Sequence, residues 1–300
     1  MEKAENRQPS FFYWRSQRAV DEVQKRLAEC QNLILYDLET TGTNPLYHRI
    51  IEIGAIWLRK KDGKFVEEDR LHRYIRLPEC LEFPEEIEKL TGISREQLDK
   101  EPYEEECLED ILFFFEDLPV SGYNNMRFDD LFLKQCFYRH GIEWCCQDSF
   151  DILLMARDFV PSESVENFKL ETIADYFGIE AEHYHSAFSD AEVTAKLLNC
   201  MMTCYQEGKR ADYHGNLRPD IERIAYWGKE GQENETDKPV KRIYIALKEN
   251  QTKIFYDVIN GVWYTESRDI DMEWLEERCW EILGVSTEKE FQAFRATKKV

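Results

Sequence analysis

Two carboxylates end an apolar run: in NLILYDLETTG, Asp37 and Glu39 flank Leu38. In an extended strand, residues i and i+2 point to one face, so both acids project together. Adjacent carboxylates repel each other and resist desolvation unless a cation joins them. The run before them reads as a strand buried on both sides, which argues against two merely solvated acids. A third acid, Asp129, opens FDDLFLKQCF, where Phe132, Leu133 and Cys136 follow at helical i+3, i+4 and i+7 spacing. That spacing puts Asp129 on the inward stripe and Asp130 on the face of Lys134. An acid at this position also suits a helix cap favoured by the dipole. A fourth, Asp190, leads the helical pattern of Val193, Leu197 and Leu198, five residues after His185 in HYHSAFSD. His183 receives no role.

Asp37, Glu39, Asp129 and Asp190 carry four negative charges near neutral pH, and two divalent cations balance them. That balance fits a two-metal phosphoryl-transfer site with ions about 3.5–4 Å apart. Hard oxygen donors select Mg²⁺ or Mn²⁺ over zinc. His185 supplies a proton acceptor, since an ordinary histidine titrates near pH ~6.5. The nine cysteines form no CxxC pair. Cys145–Cys146 are adjacent and Cys200 and Cys204 lie one helical turn apart, but their apolar neighbours read as reduced thiols, and no zinc site is expected.

These residues need a scaffold. The spacing predicts a helix over about 15–30, then strands at 32–40 and 49–60, with a third near 72–78. EFPEEIEKLTGI reads as a short helix with Pro84 at its first position and Gly92 as its stop. A helical stretch near 105–117, a short strand LPVSGYN and a helix over about 129–140 follow. Helices separated by a Pro-Ser break span 148–179, and another covers 186–204. Strands interleaved with helices indicate an α/β domain. We expect an N-terminal helical extension (1–31), this domain (32–207), a polar linker (208–239) and a small α+β module (240–300). In that module KRIYIAL, KIFYDVI and VWYTES read as strands, with Asn260–Gly261 as a hairpin turn. MEWLEERCWEIL follows as a helix, and a shorter helix ends the chain. Trp263, Trp274 and Trp280 are expected in its core rather than on a partner surface.

Composition narrows the function. The 300 residues hold 39 Lys and Arg against 60 Asp and Glu, a net charge of −21, with 43% hydrophobic residues. That is too apolar for a disordered acidic chain. No apolar run approaches a membrane span, and the N-terminus lacks a secretory core, so a cytoplasmic protein without membrane contact is expected. The charge argues against a long basic groove for nucleic acid without ruling out a nucleic-acid substrate. A nucleic-acid enzyme of this balance would act locally, at a chain end, with metal ions supplying positive charge.

DLETTG (37–42), NNMRFDD (124–130) and HSAFSD (185–190) resemble, in order, the three motifs of the DEDDh 3′–5′ exonuclease superfamily. IIEIGA (50–55), FPEEIEKLTGIS (83–94) and KLETIADYFGI (169–179) match as well, so the resemblance covers about residues 32–200. The branch it is most similar to contains RNase T and the proofreading epsilon subunit of DNA polymerase III. The resemblance implies an RNase H-like mixed five-stranded sheet flanked by helices. It further implies that Asp37 bridges both metals, that Glu39 and Asp190 bind the nucleophile-side metal and Asp129 the other, and that His185 is the general base. Asn125 and Phe128 match the residues before the second-motif aspartate, which selects Asp129 over Asp130. A departure is Tyr123 with Asn124, where many relatives carry His-Asn nearer the aspartate. Leu38, Thr40, Thr41, Ile53, Asn125 and Phe128 are the expected contacts to the terminal nucleotide. The implied activity releases nucleoside 5′-monophosphates from 3′ ends of single-stranded DNA. RNA trimming is the alternative, and a docking subunit of a replication or repair complex a lesser one. The resemblance admits a polymerase or repair complex as protein partner.

Overall fold

The computed structural model describes residues 12–144, 148–181, 184–211, 215–227, 242–248, 252–258 and 261–284. In chain order its elements are β1 Phe12–Trp14, α1 Gln17–Glu29, β2 Asn32–Thr40, β3 Ile50–Lys61, β4 Lys64–Tyr74, α2 Glu85–Thr91, α3 Arg95–Leu98 and α4 Glu104–Phe115. Next come β5 Val120–Gly122, α5 Asp129–Arg139, β6 Ser149–Asp151, α6 Ile152–Phe159, α7 Leu170–Tyr176 and α8 Ala187–Gln206. The last are β7 Ile221–Trp227, β8 Arg242–Leu247, β9 Ile254–Asp257, β10 Val262–Thr265 and α9 Met272–Leu283. They divide into two compact units, one of Asp21–Ala211 and one of Met1–Val20 with Asp212–Val300.

The larger unit is α/β, and its mixed five-stranded sheet has the order β4-β3-β2-β5-β6. β2 pairs antiparallel with β3 and β3 with β4, whereas β5 and β6 join in parallel. Leu33, Ile34, Leu35 and Tyr36 of β2 are all enclosed. This is what an uninterrupted apolar run in a central strand requires. Ile34, Tyr36 and Leu38 meet Ile111 and Phe115 of α4 and Phe132 and Phe137 of α5 in one core. Helix α8 packs against β2 and β3.

Several local expectations change. β4 starts at Lys64, well before the strand expected near 72–78, because Asp62 and Gly63 both take left-handed backbones (φ 51° and 79°) and turn the chain tightly. The Asp-Gly pair was the signal. Pro84 precedes α2 as its cap, and Gly92 (φ 72°) ends it. β6 has three residues, too few for a periodic pattern.

The smaller unit holds an antiparallel sheet of order β1-β10-β9-β8-β7. Two readings are thereby corrected. β7 lies inside the stretch expected to be a linker, and β1 inside the expected helical extension. Trp263 is enclosed, with Trp274 and Trp280 packed against the same core. Asp257 pairs with Val262 across the β9–β10 connection. Asn260, Cys145–Cys146, His183 and the terminal helix lie outside the described residues.

One contact sets the position of α8. Gly54 of β3 pairs with Asp37, and a Cβ at residue 54 would overlap the backbone of Phe188 in the first turn of α8. Glycine is needed here for close approach rather than for a turn. Gly54→Ala is therefore expected to destabilise by about 1–3 kcal/mol, as overpacking does, and to weaken divalent-metal binding. Denaturant unfolding and a Mn²⁺ titration check both effects. An unchanged unfolding midpoint would refute the contact.

Candidate metal centre

β2 delivers Asp37 and Glu39 to one face, and α8 delivers Asp190 from its first turn. One carboxylate oxygen from each of the three lies within 4.8 Å of the others. Asp129 opens α5 beside them, its Oδ1 accepting the Leu38 N–H at 3.1 Å. The helix start thus clamps the residue between the two strand acids. Asp130 is buried too, correcting the outward face expected for it. Tyr36 Oη donates to its Oδ1 at 2.6 Å, Asn125 Nδ2 to the same oxygen at 3.1 Å, and Ser149 Oγ to its Oδ2 at 2.9 Å. Asp130 is therefore a satisfied internal strut and leaves Asp129 to face the cluster.

The electrostatics are those of like charges forced together. Burial, and then the charges of Asp129, Asp190, Glu39 and Glu52, push the Asp37 carboxyl well above the usual range. Burial, Glu52 and Asp190 push Glu39 up to about 8. Burial raises Asp190 to about 6 despite the opposing His185 N–H, which donates to Asp190 Oδ2 at 3.3 Å. Burial and Asp130 raise Asp129. Asp190 Oδ1 is buried with no hydrogen-bond partner. An orphaned buried oxygen within an all-carboxylate set fits a hard divalent cation.

His185 takes a left-handed backbone, φ 66°, uncommon for a residue with a side chain. Its half-exposed ring has Nε2 3.5 Å from Glu171 Oε1.

Glu52 was missed as a site residue, although it lies within the IIEIGA match. It is fully buried, opposite Glu39 in the β2–β3 register. Its oxygens accept Ser186 Oγ at 3.1 Å and the Ala187 N–H at 3.2 Å, and His72 Nε2 lies 2.7 Å away. Ser186 is the N-cap of α8 but makes no side-chain cap bond. A carboxylate from β3 caps the helix instead. The available signal was a Glu in an apolar strand, which is too costly to bury without partners.

The expected nucleotide contacts separate. Ile53 is wholly enclosed in the core, and Asn125 is wholly buried on Asp130 and Ser149, so neither side chain has surface to offer. Leu38 is almost fully covered. Thr40 Oγ1 donates to Gly42 O at 2.8 Å, and Thr41 Oγ1 accepts the Arg49 N–H at 3.0 Å. Phe128 stays partly exposed, tilted against Phe132.

A mixed sheet with acids at the end of its central strand defines a nuclease-type α/β fold. The sequence profile of the exonuclease family matches residues 34–198, more than half of the chain, and the chain belongs to that family. Similar proteins include the PolC-type DNA polymerase III of Pediococcus pentosaceus, 29% identical over 64% of this chain and 13% of that one. The 3′-5′ exonuclease DinG of Staphylococcus epidermidis is 33% identical over 54% of this chain and 17% of that one. The chain thus spans under a fifth of the length of these relatives. Among solved structures, E. coli exonuclease I in complex with a dT13 oligonucleotide shares the fold, with TM-score 0.52 and 20% identity over 76% of this chain and 55% of that one. Among the described residues no helix is long and apolar enough to cross a membrane.

The raised carboxyls give a signed expectation. Each holds its proton more tightly folded than unfolded, so the metal-free protein loses stability as pH rises from ~5, above the usual carboxyl range. The loss continues through about 6 for Asp190 and about 8 for Glu39. In EDTA, Asp37→Asn should melt several degrees above wild type at pH 8, with the gap shrinking toward pH 5. Saturating Mn²⁺ should reverse the order by stabilising only the intact site. Equal melting of the two proteins at every pH would refute the cluster.

Proposed function

We propose that the chain is a metal-dependent 3′–5′ exonuclease acting on single-stranded DNA and releasing nucleoside 5′-monophosphates. The observation that carries this reading is the convergence of Asp37, Glu39 and Asp190 within 4.8 Å, with Asp129 on the Leu38 amide beside them. The names of the PolC-type and DinG relatives and the oligonucleotide bound by E. coli exonuclease I support it. The four carboxylates would hold two divalent cations, Mg²⁺ or Mn²⁺. Such ions, when bound, lower the pKa of water and offset charge on the attacking and leaving oxygens.

The chain's own residues supply the rest. His185, on the loop entering α8, takes the proton of the attacking water through its ring. The new bond joins the water oxygen to phosphorus, the bond from phosphorus to the 3′-oxygen breaks, and that oxygen takes a proton from solvent. Strain in the His185 backbone is sustained by the cap that Glu52 places on the adjoining helix. The partly exposed Phe128 and the chain around Thr40 and Thr41 frame the terminal nucleotide. A replication or repair complex is the proposed protein partner and the cytoplasm the proposed location.

The test is a gel assay on matched 5′-labelled single-stranded DNA and RNA with Mg²⁺ or Mn²⁺. A ladder shortening from the 3′ end, faster on DNA and absent in Asp37→Ala/Glu39→Ala, is expected. Faster shortening of RNA would move the reading to an exoribonuclease, and no shortening of either would overturn it. His185→Ala should keep the Mn²⁺-induced melting shift and lose about 10²–10⁴-fold in turnover. Full activity in that variant would remove the general-base role.

A further inference from the structure

Beyond the β2–β3 turn lies a cavity of about 200 Å³ lined by Arg49, Arg76, Tyr103, Glu104, Arg139 and His140. Glu104 is nearly covered and already engaged: Arg139 Nη2 and Nε donate to its two oxygens at 2.7 and 3.0 Å, and His140 Nε2 lies at 2.9 Å. Among the described residues, neither Arg49 nor Arg76 has such a hydrogen-bonded carboxylate partner. The Arg49 guanidinium donates to the carbonyl of its neighbour His48, at 3.0 Å. That of Arg76 lies 4.7 Å over the Tyr103 ring, with its Nε buried and without an acceptor. Including Glu105, which also lines the wall, three guanidinium charges face two carboxylates. In a chain of net charge −21 this is a local inversion of sign. Burial, and then the Arg139 charge, push the Arg49 guanidinium down from its ordinary value, and the Glu104 carboxylate only partly offsets them.

The cavity is coupled to the candidate site by the backbone. Arg49 accepts the Thr41 N–H at 2.9 Å and gives its own N–H to Thr41 Oγ1 at 3.0 Å. Ile50 in the cavity wall pairs with Thr40, three residues along β2 from Asp37. Three strand residues span about 10 Å. Two guanidiniums without carboxylate hydrogen-bond partners among the described residues, one just before β3 and one over the Tyr103 ring just after β4, match an oxyanion carrying more than one acceptor oxygen.

We propose that this cavity binds a backbone phosphate of the nucleic-acid strand, distinct from the phosphate being cleaved; the assignment of the strand rests on the exonuclease reading above. It supplies positive charge locally where the chain as a whole repels its substrate. A free nucleotide carries the same phosphate chemistry and is separated by the test.

Arg49→Gln/Arg76→Gln is compared with wild type in two assays. The first is equilibrium binding of a fluorescent dT20 strand in EDTA across a salt series. Affinity should fall at least tenfold, and the salt slope should drop by about 0.7 for each lost phosphate contact. The second is hydrolysis, in which KM for the strand should rise while kcat at saturation changes little. The p-nitrophenyl ester of thymidine 5′-monophosphate, which has one phosphate only, should lose far less in kcat/KM. Unchanged affinity and slope would overturn the proposal, as would equal loss on strand and ester. Normal strand binding with loss only of a thymidine monophosphate-induced melting shift would assign the cavity to free nucleotide and also overturn it. If wild type binds the strand in an Arg-dependent way but hydrolyses nothing, the exonuclease reading fails and the binding site stands.

Discussion

The repulsion among Asp37, Glu39, Asp190 and Asp129 is the constraint on which the larger unit turns. Each carboxyl is raised by burial and by its neighbours. A flexible scaffold would relieve that repulsion by moving the acids apart. The scaffold is therefore rigid at each contact. β2 is the central strand of the sheet, and its pairing with β3 runs through Asp37, Leu38 and Glu39 and fixes the separation of the two acids. Asp129 is tied to the backbone between them, and Asp190 is brought in by a helix pressed against Gly54.

The start of α8 shows how one part of this scaffold supports another. Its cap comes from Glu52, one register position from the acids, rather than from its own Ser186. The same carboxylate raises Glu39. Stability of the helix start and repulsion in the cluster thus share one residue. His72 Nε2 faces Glu52 Oε1 at 2.7 Å while its ring stacks on Phe188, 5.4 Å between centroids. Helix position, strand register and site charge are consequently not independent, and a change at β3 is felt at the acids on β2.

The elements legible in the sequence were those with length and contrast. The run ahead of Asp37, the helical spacing after Asp190 and the Pro84–Gly92 helix all carry strong local patterns, and they lie where the patterns put them. What escaped depends on distant partners. Asp130 shares a helical face with Lys134, yet it is buried because Tyr36 of β2, Asn125 before α5 and Ser149 of β6 supply donors. Ile53 and Asn125 lie within the matched segments, and that membership suggested substrate contact. Their side chains instead hold the core and the strut behind the site. Motif membership locates a residue near the chemistry without saying which way it faces.

The smaller unit carries the same lesson at longer range. β1 has three residues and no usable periodicity, yet Phe12, Tyr13 and Trp14 pair with Thr265, Tyr264 and Trp263 from the far end of the chain. A strand that short gains its order from its partner, not from its own propensity. β7 does likewise on the opposite edge, where it pairs with β8. The polar stretch around it concealed a strand that only the sheet could define. The sheet is assembled from segments on both sides of the exonuclease region, so the loss of β1 would expose the β10 edge, where Trp263 and Tyr264 contribute to a nearly sealed strand. β1 thus belongs structurally to the sheet whose other strands follow the exonuclease region.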